Sequence, residues 1–309
     1  MPLPRILALK IDVDTDRGTR EGVPRLVEIL ARHGAGATFL FSLGPDHTGR
    51  ALKRVFRPGF LTKVSRTSVL EHYGLRTLLY GTLLPGPDIA RRNAELMRSV
   101  RAAGYETGIH TYDHVKWQDH VAERDAAWTR REMELALGRY NEIFHETART
   151  HGAAGWQMNA AAFRLTAEWG FNYASDTRGT HPFLPVCEGM PVGCPQLPTT
   201  LPTLDELIGR DGITPDNVHV QLLQMTRDAP ATGHVYTLHA ELEGQKLAPA
   251  FDALLTGWKA QGYTLTSLAD YARAALAEGL PHHAVVRGTV PGRSGTLAVQ
   301  GDVVRLPAS

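Results

Sequence analysis

The chain presents two carboxylates two residues apart, Asp12 and Asp14, and two imidazoles four residues apart, His110 and His114. Imidazole nitrogen and carboxylate oxygen are the ligand set of a hydrolytic divalent metal. Two His and one Asp fill three positions and leave a place for water. The i, i+4 spacing puts both His on one face if the segment is a helical turn. If Asp12-Val13-Asp14 continues a strand, both carboxylates point the same way, because side chains alternate with period two. Such neighbours repel, which raises one pKa unless a cation lies beside them. A cation on Asp14 relieves that repulsion and keeps Asp12 ionised as a general base. The plainer alternative is a polar loop in which Asp12 or Asp16 caps the next element. With 14 His in the chain, a chance His pair is open as well.

Further candidates lie along the chain. His239 ends the run Val235-Tyr236-Thr237-Leu238 and has the chemistry to protonate a leaving amine. Alternatively it bonds a backbone carbonyl at the edge of the core. Glu241, two residues on, would orient His239 or meet substrate. Asp176 would orient a catalytic group or close a turn. Arg17 and Arg20 follow the acid pair directly and suit a phosphate or carboxylate, which guanidinium binds in bidentate fashion. Pairing with nearby acids is their alternative.

The elements that must position these residues alternate along the sequence. Strands are expected over 5–11, 37–42, 106–111, 147–152, 171–175, 234–239 and 263–266. Helices are expected over 22–32, 89–103, 124–144, 160–169, 249–261 and 267–277. Strand–helix alternation implies parallel strands with right-handed crossovers, an α/β fold. Asp12, Asp14, His110, Asp176 and His239 all fall at the ends of expected strands. In barrels of such strands, the C-terminal ends converge on one mouth where catalysis sits. The Gly-rich tail over 284–306, with alternating Val, reads as a β-hairpin.

One segment breaks the alternation. Residues 44–82 carry seven Lys/Arg against two acids, with Leu52, Val55, Phe56, Phe60, Leu61 and Val64 interleaved. That is the pattern of a basic amphipathic segment at a membrane surface. The same pattern suits an insertion whose apolar side packs on the barrel.

Composition narrows the class. Hydrophobic residues make up 43% and charged residues 21% of 309, enough for an ordinary core. A net charge of +1 argues against a nucleic-acid binder. The first expected strand starts too early for a signal peptide to fit before it. No run approaches the roughly 18 apolar residues of a membrane span. Cys187 and Cys194 make no disulfide framework and read as reduced thiols of a cytoplasmic protein.

Asp12-Val13-Asp14, His110-x-x-x-His114 and the late strand ending at His239 resemble the motifs of the polysaccharide deacetylase (NodB-homology) superfamily of carbohydrate esterases. Longer blocks are similar to its branch of lipid-linked formamido-sugar deformylases: 12–26, Ala153-Ala154-Gly155-Trp156, 201–211, His239-Ala240-Glu241-x-Glu243-Gly244 and Val285-Val286-Arg287-Gly288. The likeness spans nearly the whole chain. It implies a distorted (β/α)7-type barrel over 1–283, with the insertion 44–82, and an extension over 284–309 packed on the barrel. It also implies metal-dependent hydrolysis of the N-formyl group of undecaprenyl-phosphate-linked 4-deoxy-4-formamido-L-arabinose, a step of lipid A modification and polymyxin resistance. Asp14, His110 and His114 would then hold the metal, with zinc first and manganese, cobalt, nickel or iron as alternatives. Asp12 becomes the base and His239 the acid.

The resemblance also implies a substrate side. The sugar is expected against Trp156 and Arg178, with Asp176 and Glu241 nearby. Its phosphate is expected at Arg17, Arg20 or the basic insertion, on the cytoplasmic face of the bacterial inner membrane. The competing readings are an N-deacetylase of another sugar and a catalytically silent barrel that binds a lipid-linked sugar. One departure stands out. Many members have an Arg-x-Pro motif whose Arg holds the catalytic Asp, whereas this chain reads Gly155-Trp156-Gln157-Met158. Arg178 is the expected substitute.

Overall fold

The computed structural model describes residues 5–51, 77–277 and 279–306. In chain order its strands are β1 (Arg5–Val13), β2 (Thr38–Ser42), β3 (Glu106–Thr111), β4 (Thr150–His151), β5 (Tyr173–Ala174), β6 (Leu184–Cys187), β7 (Met190–Pro191), β8 (His234–His239), β9 (Tyr263–Thr266), β10 (His282–Gly288) and β11 (Leu297–Val303). From Leu7 onward β1 is buried on both faces, as an apolar strand in the middle of a parallel sheet must be. Leu7, Leu9, Ile11 and Val13 pack into the main core with Leu26 and Leu30 of the helix Val23–His33. By strand alternation Ala8, Lys10 and Asp12 face the opposite way, into the barrel.

Seven strands form one parallel sheet in the order β5-β4-β3-β2-β1-β8, and β9 also pairs with β1. Strand β8 runs along one edge of β1, while β2 and β9 share the other, at residues 10–13 and 5–8. The outer strands β5 and β8 are bridged by irregular backbone. Leu197 N donates to Ala174 O at 2.8 Å and Thr200 N donates to Val235 O at 3.0 Å. The barrel is thus distorted, as expected, and its gap is filled by loop rather than strand. Ala8, Leu197 and Val235 form a separate apolar cluster with Leu268 and Tyr271 of the helix Leu268–Leu276.

Local signals explain most boundaries. The helix Val23–His33 has Pro in its first turn and ends at Gly34, whose φ of 57° is the left-handed stop that glycine supplies. The helix Ala126–Phe144 starts at Asp125, whose side chain accepts from Trp128 N at 2.8 Å. The expected helix over 89–103 is instead two, Ile89–Arg92 and Ala94–Ala102, divided at Asn93. Its side chain donates to Ile89 O at 2.8 Å and to Asp16 Oδ1 at 3.0 Å, so it competes with the helical ladder and ties the break to the acidic loop. The short helices Leu204–Leu207 and Val218–Met225, and strands β6 and β7, lie outside the sequence expectation.

The tail folds as the antiparallel hairpin β10–β11, with Val286 opposite Val299. Strand β10 also pairs in parallel with β6, so the hairpin is half of a four-stranded second sheet. Arg178 N donates to Ala298 O at 3.0 Å, and Gln300 N donates to Arg178 O at 2.8 Å. The basic amphipathic reading of 44–82 falls largely on residues 52–76, outside the described residues. The two described ends of that segment meet, with Gly49 N donating to Tyr80 O at 3.0 Å. No helix among the described residues is long and apolar enough to cross a membrane.

Candidate metal centre and active site

Parallel register brings the first pair together. Asp12 stands beside His239 of β8 and Leu40 of β2. Strand β3 carries His110 near its end and leads straight into the helix His114–His120, capped by Asp113, which accepts from Lys116 N at 3.1 Å. The two His therefore lie across a strand-to-helix turn and not on one helical face. Their rings still stack, with centroids 5.3 Å apart. Asp14 Oδ1 lies 3.2 Å from His110 Nε2 and 3.4 Å from His114 Nε2. One ligand atom from each of the three side chains falls within 4.8 Å of the others.

The loop that carries Asp14 is tied down by Glu241. Its Oε1 accepts from Asp14 N at 3.1 Å, Thr15 N at 2.9 Å and Thr15 Oγ1 at 2.7 Å. A single π turn, Gly18–Gly22, follows and presses on the same segment. A Cβ on Gly18 would lie 1.9 Å from Glu241 Oε1, and one on Gly22 would lie 2.0 Å from Ala240 O. Glycine is required at both positions by close approach.

The electrostatics follow from burial. Desolvation pushes the Asp14 carboxyl up, but His114, then His110 and His239, outweigh it and hold the group well below the usual carboxylate range. Burial pulls His110 down, and the charges of Asp12 and Asp14 outweigh it and raise the ring. Burial, with the charge of Asp14 added, pushes Glu241 well above the ordinary value.

A divalent cation fits these residues. His110 Nδ1 lies 2.6 Å from Gly152 O, so that nitrogen carries the proton and Nε2 turns its lone pair toward Asp14. Asp12 Oδ1, Asp14 Oδ1, His239 Nδ1 and Glu241 Oε2 are buried without a hydrogen-bond partner among the described residues. Clusters of unsatisfied polar atoms are where an ion or a ligand is needed. Two imidazoles and one carboxylate are also a donor set that leaves coordination positions open.

The expected substrate contacts fare differently. Trp156 is only 1% exposed and is covered by Lys10, Arg178 and Arg293, whose charged groups lie 5.2, 4.9 and 4.3 Å from its ring centre. It supports the wall and offers no free face for stacking. Arg178 donates to Glu206 Oε1 at 2.7 Å and to Leu201 O at 3.0 Å, so it does not hold Asp12 as expected. Asp176 is fully buried and accepts from His151 Nδ1 at 2.7 Å and Ala153 N at 2.9 Å. Glu241 uses Oε1 on Asp14 and Thr15, and its Oε2 has no hydrogen-bond partner among the described residues. Arg17 and Arg20 lie on the rim and both pair with Glu21, at 2.8 and 3.0 Å.

Sequence reasoning missed three residues at this site. Lys10 is fully buried, with Nζ 3.4 Å from Asp12 Oδ2. Its signal was available, a lysine inside an apolar strand two residues before an aspartate. Glu243 accepts from His239 N at 2.9 Å and from Tyr236 OH at 2.9 Å, and burial raises its pKa. Glu206 joins Arg178 to Arg293 of the tail, at 2.7 and 2.5 Å. No sequence signal marks that last contact.

Comparisons with known proteins bear on the family and the fold. Residues 11–174 match the polysaccharide deacetylase family. A protein of Shewanella sediminis (strain HAW-EB3), named a probable 4-deoxy-4-formamido-L-arabinose-phosphoundecaprenol deformylase ArnD, is 39% identical over 81% of this chain and 80% of its own. One of the same name from Wigglesworthia glossinidia brevipalpis is 31% identical over 93% of this chain and 100% of its own. The crystal structure of a probable polysaccharide deacetylase from Pseudomonas aeruginosa PAO1 shares the fold with a TM-score of 0.61 and 17% identity, over 89% of this chain and 92% of that one.

Proposed function

The chain belongs to the polysaccharide deacetylase family, and from that membership we propose that it removes the N-formyl group of undecaprenyl-phosphate-linked 4-deoxy-4-formamido-L-arabinose, releasing the 4-amino sugar lipid and formate. The observation that carries this reading is the gathering of Asp14, His110 and His114 around one point, with Asp12 and His239 side by side on neighbouring strands. The two named deformylase relatives supply the substrate class.

Asp14, His110 and His114 would hold a divalent cation, zinc first, which when bound lowers the pKa of water toward neutrality and polarises the formyl oxygen. Asp12 takes the proton of the attacking water through Oδ1, the oxygen that has no hydrogen-bond partner among the described residues. The water oxygen adds to the formyl carbon. His239 delivers a proton to the nitrogen as the C–N bond breaks, so the amine leaves neutral. Formate takes the added oxygen. Glu243 fixes the backbone of His239, and Glu241 fixes that of Asp14.

The rim arginines Arg17 and Arg20 would meet the lipid-linked phosphate. The basic segment over 44–82 would hold the enzyme at the inner-membrane surface from the cytoplasmic side. The one methyl group by which acetyl exceeds formyl changes selectivity by only about 10–200-fold, so formyl preference is a matter of degree.

Metal analysis and product analysis test the proposal together. The zinc-loaded enzyme is expected to release formate from the lipid-linked formamido sugar faster than acetate from its acetamido analogue. Asp14→Ala and His114→Ala are expected to lose both bound metal and turnover. Full metal occupancy in either variant refutes the ligand assignment, and faster acetate release makes the enzyme a deacetylase.

A further inference from the structure

We propose that Lys10 is the positioning residue of Asp12: it grips one carboxylate oxygen and leaves the other aimed at the reacting water. The proposal rests on reading Asp12 as the base. Lys10 and Asp12 stand two apart on β1 and so share its inner face. A lysine that is 0% exposed needs partners for its ammonium. Nζ finds three: Ser175 O at 3.0 Å, Asp12 Oδ2 at 3.4 Å and the face of Trp156 at 5.2 Å. The carbonyl and the indole are fixed parts of the wall, so the ammonium is held from two sides and in turn holds Asp12. Asp12 Oδ1 has no hydrogen-bond partner among the described residues and lies 3.7 Å from Nδ1 of His110, the ring whose Nε2 faces Asp14.

The surrounding structure makes room for this arm. A Cβ on Gly152 would lie 2.9 Å from Lys10 Cε and 3.3 Å from Nζ. The carbonyl of the same glycine accepts from His110 Nδ1 at 2.6 Å. One residue without a side chain therefore lets the lysine pass and orients a metal-ligand candidate. The hydrogen bonds of the neighbouring cations go elsewhere. Arg178 and Arg293 both bond Glu206, and Arg293 acts on Asp12 through its charge alone. Gln157, at the position of the missing motif arginine, donates to Thr296 O at 2.7 Å and accepts from Arg287 Nη2 at 3.0 Å, away from Asp12.

The test compares zinc-loaded parent, Lys10→Met, Lys10→Arg, Asp12→Asn and the double variant Lys10→Met/Asp12→Asn. Misplacing a catalytic group by an ångström costs on the order of 100-fold in rate. Lys10→Met is expected to lower kcat by about that factor, with KM and zinc content unchanged, and Lys10→Arg to recover most of the loss. In the Asp12→Asn background the added Lys10→Met is expected to change kcat by less than about threefold, because coupled residues do not add. The double variant removes both charges and so also guards against a misfolded single variant. Crystal structures of zinc-loaded parent and Lys10→Met read Asp12 without reference to turnover. A carboxylate swung away from its parent position supports the proposal, and an unmoved carboxylate overturns it. An undiminished extra loss in the Asp12→Asn background also overturns it. Parental formate release alone decides the hydrolase reading, so the two can fail separately.

Discussion

Four carboxylates within a short span of space do different work because their partners differ. Asp14 lies between two imidazoles, Asp12 against an ammonium, Glu241 under two backbone N–H groups and Glu243 under the backbone of His239. His239 is the residue whose role is most open to direct chemical test. As a general acid it matters only when the leaving amine needs a proton. His239→Gln is therefore expected to lower kcat on the formamido sugar by about 10²–10⁴-fold. The same variant is expected to lose far less on an activated formanilide, whose amine leaves without help, and to keep its zinc. Equal losses on both substrates would remove His239 from the acid role. At this scale the sequence was a good guide to residue type. It was a poor guide to which oxygen or nitrogen is already occupied, and for that reason Arg178 was expected at Asp12 and is found at Glu206.

Elements place these groups through register and close approach. A shift of one residue between β1 and β8 would turn Asp12 or His239 to the other face. The loop after β1 depends in turn on the glycines packed against residues 240–241. Gly22→Ala is expected to lower unfolding stability by about 1–3 kcal/mol, since the new methyl group meets backbone and not a movable side chain. Gly138→Ala is the contrast. Gly138 lies on the exposed side of the helix Ala126–Phe144 with nothing within 4 Å of its added Cβ. It is expected to gain up to about 1 kcal/mol from helix propensity. Urea denaturation of both variants checks the pair, and a neutral Gly22→Ala would show that the loop yields. Helix ends were legible where Asp125 and Gly34 carry local capping chemistry. The break at Asn93 was not, because its partner Asp16 lies 77 positions away.

For the whole molecule, net charge is +1, yet seven Lys/Arg and only two acids fall within 44–82. A basic segment near an anionic leaflet gains about 1 kcal/mol per Lys or Arg. Reversing Lys53, Arg54 and Arg57 to Glu is expected to weaken sedimentation with anionic vesicles. Turnover of a short soluble formamido-sugar phosphate should stay unchanged. Parallel loss of both would assign the segment to the fold. The tail is integrated into the molecule by another route. Arg293 reaches Glu206 and covers Trp156, so the second sheet braces the wall behind Asp12.

The sequence by itself determined the chemistry on offer and the kind of fold. Ligand types are covalent properties of the chain, and strand–helix alternation is a local periodicity that survives without partners. Candidate metal ligands, and a candidate base and acid, could be named from those two facts together with the family resemblance. Only the tertiary structure decided which groups were already committed. It buried Trp156 and Asp176, tied one oxygen of Glu241 to the loop after β1, and set Lys10 against Asp12. Those outcomes depend on contacts between distant segments, where burial forces each polar atom to find a partner, and no local pattern encodes which partner that is.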